Sequence, residues 1–396
     1  VKELERERIL LMIISDKELV PIIGESKNTL LVEPYVQRKY LPLGLAKIAH
    51  CLKTEGKTFT YLRIKDNLKT SKKQKREVFK DIDSVFMTSL FTYDSETVEK
   101  ELVYYRDTYP KSKIIIGGVF ASLCKEHLEK NYPEVFIFDG YSEYLDRQSV
   151  LYEGVDWQME KDWPKYSFVF TGRGCPNRCK YCAVHRIESP MWINPNWKRH
   201  IDLSKPYVML SDNNFTSWPG EHRRDVLSFV KRHNKRIVFD NGLDCKKITP
   251  EFVSELSGVK FVRNGVRLSF DRIKEDGLFQ KAIKTLIDGG VSRSNLMGYA
   301  LYNFEDTPKE ANYRLQTCNE LGIRPYPQQY TPLDCMNRKD KFVGKYWTKN
   351  LLRKFRFFWL MRGLNTKQSF DQYVRIATDI SVTEEDIKAW ELEKPW

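Results

Sequence analysis

The sequence predicts an α/β chain in three parts: an N-terminal Rossmann-like parallel sheet, a partial (β/α)6 barrel, and a helical C-terminal tail. Two observations carry this. From the start of the chain to about residue 335, short runs rich in Val, Ile and Phe alternate with stretches of helical apolar spacing, a pattern that calls for crossover connections and parallel strands. Beyond that point the strand-like runs stop, and Lys, Arg, Phe and Trp take over.

In the first part, residues 1–150, strands are expected at 9–14, 59–64, 85–90, 113–116 and 135–138. Between them, 45–54 and 97–109 read as helices; in the former, Leu45, Ile48, Ala49 and Leu52 share one face. Gly117 and Gly118 follow the run KIII, at the carboxyl edge where open sheets take ligands, although a tight turn at a strand end asks for the same residues. Residues 151–166 have no clear period and read as a linker. The alternation resumes over 167–335, with strands at 167–171, 208–210, 237–239, 266–270, 296–301 and 327–330 and helices at 223–233, 249–256, 278–288 and 308–321. The last helix has a start signal, Thr307-Pro308, and a stop at Gly322. The tail, 336–396, reads as helical, basic and aromatic.

At 396 residues, with 41% hydrophobic and 13% aromatic content, each part has material for its own core. No run reaches the roughly 18 apolar residues of a membrane-crossing helix, and no secretory signal pattern is visible. Eight cysteines are too dilute for a disulfide scaffold. They form one tight trio and five singletons (Cys51, Cys124, Cys245, Cys318, Cys335); the trio suggests a metal or redox site in a reducing cytoplasm, and the singletons read as small buried residues. The formal charge of +13 is uneven: residues 336–363 carry nine Lys/Arg against Asp340 alone. A second basic cluster comprises Arg223, Arg224, Lys231, Arg232, Lys235 and Arg236. Such excess points to a polyanion, RNA or DNA ahead of a membrane surface; a solvated basic face is the plainer alternative.

The trio is Cys175, Cys179 and Cys182, spaced x3 and x2 within TGRGCPNRCKYCAVH. Clustered thiolates select zinc, iron-sulfur or copper(I). Structural zinc takes four ligands, and no second cysteine pair exists here, although His185 leaves a Cys3His site open as an alternative. A cubane held by three thiolates keeps one iron free to bind a ligand.

The spacing, with Tyr181 directly before the last cysteine and the loop following the first strand of an α/β series, resembles the motif of the radical S-adenosylmethionine (SAM) enzymes. The resemblance covers roughly residues 5–335. It implies a partial (β/α)6 radical SAM barrel, a [4Fe-4S] cluster on the three cysteines, SAM on the open iron, and an electron donor such as flavodoxin or ferredoxin. Asp212, Asn213 and Asn214, at the end of the second barrel strand, stand where the family's polar motif holds the SAM amino group, though the common Gly-Gly-Glu form is absent. Asn241, Arg267 and Ser269 are candidates for ribose and carboxylate contacts, Tyr299 for adenine; each is equally well read as a sheet-end polar residue.

The first part resembles the cobalamin-binding domain of one subgroup, with Leu41 to Leu45, Ser89-Leu90 and Gly117-Gly118 in the corresponding places. The Asp-x-His-x-x-Gly signature that supplies cobalt's lower histidine is missing, so either cobalamin binds without a histidine or the fold has outlived the cofactor; the sequence favours loss. In the tail, KYWTKNLLRKFRFFWLMRG interleaves basic residues with Tyr346, Trp347, Phe355, Phe357, Phe358 and Trp359, which suits a looped nucleic acid, or equally a helix docked by its aromatic face. A methylthiotransferase is disfavoured, since no second cysteine cluster accompanies the first. The expected function is thus a radical SAM enzyme acting on an unidentified substrate; the alternatives are a cobalamin-dependent radical methyltransferase and a non-catalytic metal-containing nucleic-acid-binding module.

Overall fold

The computed structural model describes residues 13–34, 41–64, 78–148, 163–337, 342–362, 369–376 and 382–392. Most of the expected strand at 9–14, most of the linker at 151–166 and parts of the tail lie outside them.

Six parallel strands form the first sheet: β1 (Ile13–Ile14), β2 (Asn28–Glu33), β3 (Thr58–Arg63), β4 (Ser84–Ser89), β5 (Lys113–Gly118) and β6 (Phe136–Phe138), in the order β1-β6-β5-β4-β2-β3. Strand periodicity sorts their side chains into two cores. Leu31, Phe86 and Ile115 pack with the helices Asp16–Glu25 and Leu43–Thr54 on one face. Leu30, Val32, Val85, Met87, Ile114 and Ile116 pack with Ser95–Thr108 and the short helices after β5 on the other. Burial on both faces explains why the central β2 was missed: its run TLLV shows no alternation, and its charged end, Glu33, is itself buried beside Tyr61 and Arg63. The helix Asp16–Glu25 also escaped the sequence reading, because Pro21 interrupts its pattern; it starts on a capping box between Ser15 and Glu18.

The second unit contains β7 (Tyr166–Val169), β8 (Gly172–Arg173), β9 (Trp192–Ile193), β10 (Tyr207–Leu210), β11 (Arg236–Phe239), β12 (Lys260–Phe261), β13 (Val266–Ser269), β14 (Leu296–Tyr302) and β15 (Arg324–Gln329). Parallel pairing gives two sheets, β12-β11-β10-β7 and β13-β14-β15. They are stitched together by a parallel bridge between Leu243 and Leu268 and by the bonds Phe239 N to Gly265 O (2.8 Å) and Leu243 N to Arg267 O (2.7 Å). The strands of the expected barrel thus follow one another in chain order, as two bridged sheets around a shared apolar core. The last strand starts earlier than expected, its two prolines, Pro325 and Pro327, lying on the sheet's edge.

The tail's helices, Lys349–Phe357, Phe370–Ile376 and Glu384–Glu391, pack with Tyr302, Ala311 and Leu315 of the second unit. Trp347, Phe355, Phe358 and Trp359 are all buried there, which leaves Phe357 exposed and Tyr346 half-buried among the six rings of the basic stretch. Five of the six upstream basic residues are similarly engaged: Arg223 pairs with Glu255 at 2.9 Å and Arg224 with the same carboxylate at 3.6 Å, while Lys231, Lys235 and Arg236 donate to backbone carbonyls; Arg232 is exposed.

Because Phe355 is fully buried among aromatic rings, Phe355→Ala is expected to cost about 3–5 kcal/mol in chemical denaturation. Phe357→Ala, two residues on but exposed, should stay within about 0.5 kcal/mol of the parent.

Candidate functional site

The three cysteines sit on a loop tied at its base. β8 and β9 pair antiparallel, Gly172 with Ile193 and Arg173 with Trp192, and enclose residues 174–191. Two glycines make the fold of this loop possible. A Cβ on Gly172 would lie 2.4 Å from the Trp218 ring, and one on Gly174, whose φ is +89°, would lie 2.7 Å from the Glu188 carbonyl. Cys175, Cys179 and Cys182 are free and half-buried, with Cys182 N donating to Cys179 O at 3.0 Å. Burial raises the Cys175 and Cys182 thiols above their ordinary range, against the opposing pull of the Asn177 and Val184 backbone N–H groups. Among the described residues no three His, Cys, Asp or Glu side chains converge closely enough for a single metal ion. His185 Nδ1 is buried with no hydrogen-bond partner.

The expected polar residues gather at the carboxyl ends of the neighbouring strands, in two groups. Asn214 turns its amide toward Cys175 (Nδ2 to Sγ 3.7 Å), and Asn213 donates to Glu188 Oε2 at 2.6 Å. Asp212 faces the base of the loop: its Oδ1 accepts from Thr171 Oγ1 (2.7 Å), Gly172 N (2.8 Å) and Trp218 Nε1 (3.0 Å). Its Oδ2 is buried without a partner, and burial pushes the carboxyl up to about 6. The second group converges on Asp240, which the sequence reading passed over. Arg267 donates to the Asp240 carbonyl (2.9 Å) and carboxylate (2.7 Å), and Tyr299 OH to the same carbonyl at 3.3 Å. Asn241 instead donates to Ser211 O at 2.6 Å, and Ser269 lies beside Gly242. Tyr181 OH donates to the half-buried Asp271 at 3.2 Å, its ring edge-on to Phe304. A strand-end Asp-Asn pair was the available signal for Asp240; nothing in the sequence marks Glu188 or Asp271.

A half-open cavity of about 340 Å³ lies where the carboxyl edge of the first sheet meets the cysteine loop. Its wall includes Pro42 to Leu45, Ser89, Leu90, Gly117 and Gly118 from the first unit and Phe170, Arg173 and Glu188 from the second. Gly118 has φ +100°, and a Cβ there would lie 2.2 Å from the Ser89 carbonyl. Ser89 braces that turn by donating to Gly117 O (2.8 Å) and accepting from Ala121 N (3.1 Å). No histidine is among the lining residues. His50 meets Thr54 on its own helix, and His127 pairs with Glu99 at 3.3 Å. Any corrinoid taken up here would therefore have no histidine ligand from the cavity wall.

With its parallel sheets and strand-end site, the chain is similar in fold to a radical SAM methyltransferase solved with cobalamin and a [4Fe-4S] cluster bound. Two structures of the radical SAM methyltransferase TsrM from Kitasatospora setae match it, each at 13% identity. The form with cobalamin and a [4Fe-4S] cluster has a TM-score of 0.56 over 78% of this chain and 77% of that one. The form with tryptophan substrate and the SAM analogue aza-SAM reaches 0.60 over 79% and 76%. At this identity the likeness is one of fold. No family model matches. Two ribosomal protein uS12 methylthiotransferases RimO are similar in sequence over short stretches. That of Pelobacter propionicus is 28% identical over 101 residues, 21% of this chain and 22% of the relative. That of Alkaliphilus oremlandii is 29% identical over 89 residues, 19% and 20% respectively. The matches thus span about a fifth of the length of these curated relatives.

His200 gives the contact between the two units a pH dependence. Its Nε2 lies 3.0 Å from the Asp146 carbonyl, and burial, with Lys47 nearby, lowers its pKa to about 4. The neutral ring is favoured in the folded state, so its contribution is present above pH ~6.5 and lost as pH falls toward 4, by on the order of 3 kcal/mol. In urea denaturation between pH 7 and 4.5, His200→Gln is expected to show a shallower loss of stability than the parent.

Proposed function

We propose that the chain is a radical SAM enzyme in which Cys175, Cys179 and Cys182 hold a [4Fe-4S] cluster. The observation that carries this is the tied loop, which presents three free, half-buried thiols at a sheet's carboxyl edge, with the Asn214 amide turned to one of them. When bound, the cluster and SAM supply one-electron cleavage of the sulfonium bond and a 5'-deoxyadenosyl radical. The chain's own part is to bind, orient and keep water out. Asn213 and Asn214 offer amide groups to the amino-acid end of SAM, and Asp212 orients the loop base through Thr171 and Gly172 while keeping one oxygen uncommitted. Asn241, Arg267, Ser269 and Tyr299 line the remaining strand ends for the ribose, carboxylate and adenine, and Tyr181 is set beside the last cysteine by Asp271. A flavodoxin or ferredoxin fits as electron donor.

A second reading, cobalamin-dependent methyl transfer, is favoured by the cavity beside the loop, which Gly118 and Ser89 shape, and by the fold shared with a cobalamin-bound methyltransferase. The open cavity weighs against loss of the cofactor. Nucleic acid as substrate has less support, since four of the six rings offered for stacking are buried. Sulfur insertion has little: Cys51, Cys124, Cys245 and Cys318 are buried, Cys335 is half-buried rather than buried as expected, and each stands apart in sequence. Among the described residues no helix is long and apolar enough to cross a membrane.

Anaerobic reconstitution with iron and sulfide is the test. The parent is expected to gain four irons per chain and to bind SAM, and the Cys175→Ala, Cys179→Ala, Cys182→Ala triple variant to gain none; equal iron in the two would overturn the assignment. Retention of hydroxocobalamin through gel filtration decides the second reading. Gly118→Val, which drives a side chain into the Ser89 carbonyl, should abolish that retention.

A further inference from the structure

A chain of four charges, three of them buried and the last, Glu188, half-buried, runs from the first unit to the proposed SAM motif. Lys47, on the helix Leu43–Thr54, pairs with Asp146, whose side chain is 2% exposed. The same carboxylate receives Arg173 in a two-pronged contact, Nε to Oδ2 at 2.9 Å and NH2 to Oδ1 at 3.4 Å. Arg173 then donates through NH1 to Glu188 Oε1 at 3.2 Å. Phe170 supports the guanidinium from one side, its ring centroid 3.5 Å away. Glu188 spends its other oxygen twice: Oε2 accepts from Gly174 N at 3.1 Å and from Asn213 Nδ2 at 2.6 Å. One carboxylate oxygen therefore ties the residue before the first cysteine to the polar motif on the next strand end.

We propose that Glu188, held in place by Arg173 and Asp146, is the positioning residue that sets Asn213 against the cysteine loop, so that SAM affinity depends on a salt bridge anchored in the other unit. The inference rests on the radical SAM reading. With Glu188 ionised, both bonds to Oε2 have a donor and an acceptor; with a glutamine there, one end of the side chain must set an N–H against an N–H, on Asn213 and Gly174 or on Arg173. Arg173 spans two carboxylates with a rigid fork, which a lysine's single ammonium does not reproduce.

The experiment uses the full chain, reconstituted anaerobically, with SAM binding measured by equilibrium dialysis and the reduced cluster followed by electron paramagnetic resonance with and without SAM. Glu188→Gln and Arg173→Met are expected to keep the parent's iron content while their SAM dissociation constants rise ten-fold or more and the spectral change on adding SAM is lost; Arg173→Lys should fall between them and the parent. A general loss of stability would lower the melting temperature without erasing the SAM-dependent spectrum of the folded fraction. Glu188→Gln is close in size to the parent and carries the decision should Arg173→Met not fold. Parent-like SAM affinity and spectrum in cluster-loaded Glu188→Gln overturn the proposal and leave the enzyme reading standing. A parent that takes up no cluster sinks both.

Discussion

The arrangement of the molecule depends on one buried carboxylate. Asp146 lies near the end of the first unit with almost no exposure, and two cations from opposite sides converge on it: Lys47 from the first unit and Arg173 from the second. Burial alone would push its pKa up, but Arg173 and Lys47 together outweigh burial and hold it well below the usual carboxylate range. Burial likewise lowers the Lys47 pKa, and Asp146 pulls it back, so the ionised pair is the state the geometry serves. Such pairs add little net stability compared with an apolar contact, but removing one partner strands a buried charge, which costs several kcal/mol. The effect is directional: the two units fit together in the arrangement that brings Asp146 between its cations. The Asp146 carbonyl reinforces this by receiving His200 and the Asn194 amide.

That junction explains why the cavity and the cysteine loop are neighbours. Lys47, Asp146, Arg173 and Glu188 all line the cavity, and Arg173 is also half of the short strand that closes the loop's base. A parallel sheet places ligands beyond its carboxyl edge, and here the edges of two sheet systems are brought together across a charged seam. The apolar wall, Pro42 to Leu45 with Phe86 and Phe138, comes from one side, and the loop that offers thiols comes from the other. A ligand in the cavity would thereby lie against the loop.

Much of this was legible in the sequence where the signal is local. Short apolar runs gave most strands to within a residue or two, and a start signal at Thr307 gave the helix Pro308–Glu320 because a capping box with Glu310 does sit there. The cysteine spacing is a loop property and survives without tertiary information. What stayed hidden depends on packing. β2 lacks alternation because both of its faces are covered. The aromatic residues of the tail carry the same letters whether they stack on a base or fill a core, and only the facing surface of Tyr302, Ala311 and Leu315 decides for the core. Glu188 and Asp240 look like ordinary surface acids in sequence; their partners come from positions 14 to 59 residues away.

The electrostatics around the three thiols point the same way. Three thiolates, or an anionic cluster held by them, are easier to form where unpaired negative charge is scarce. The acids closest to the loop meet that condition by different routes. Burial pushes Asp212 and Asp271 up to about 6, Asp212 is held by three donors, Asp244 accepts from the Asn177 amide, and Glu188 is paired with Arg173. Donors are supplied in their place: the Asn214 amide and the Asn177 and Val184 backbone N–H groups face the sulfurs. Hydrogen bonds of this kind spread charge off a thiolate and tune the potential of an iron-sulfur centre. The donors beside the cysteines thus offset part of the cost that burial puts on negative charge there.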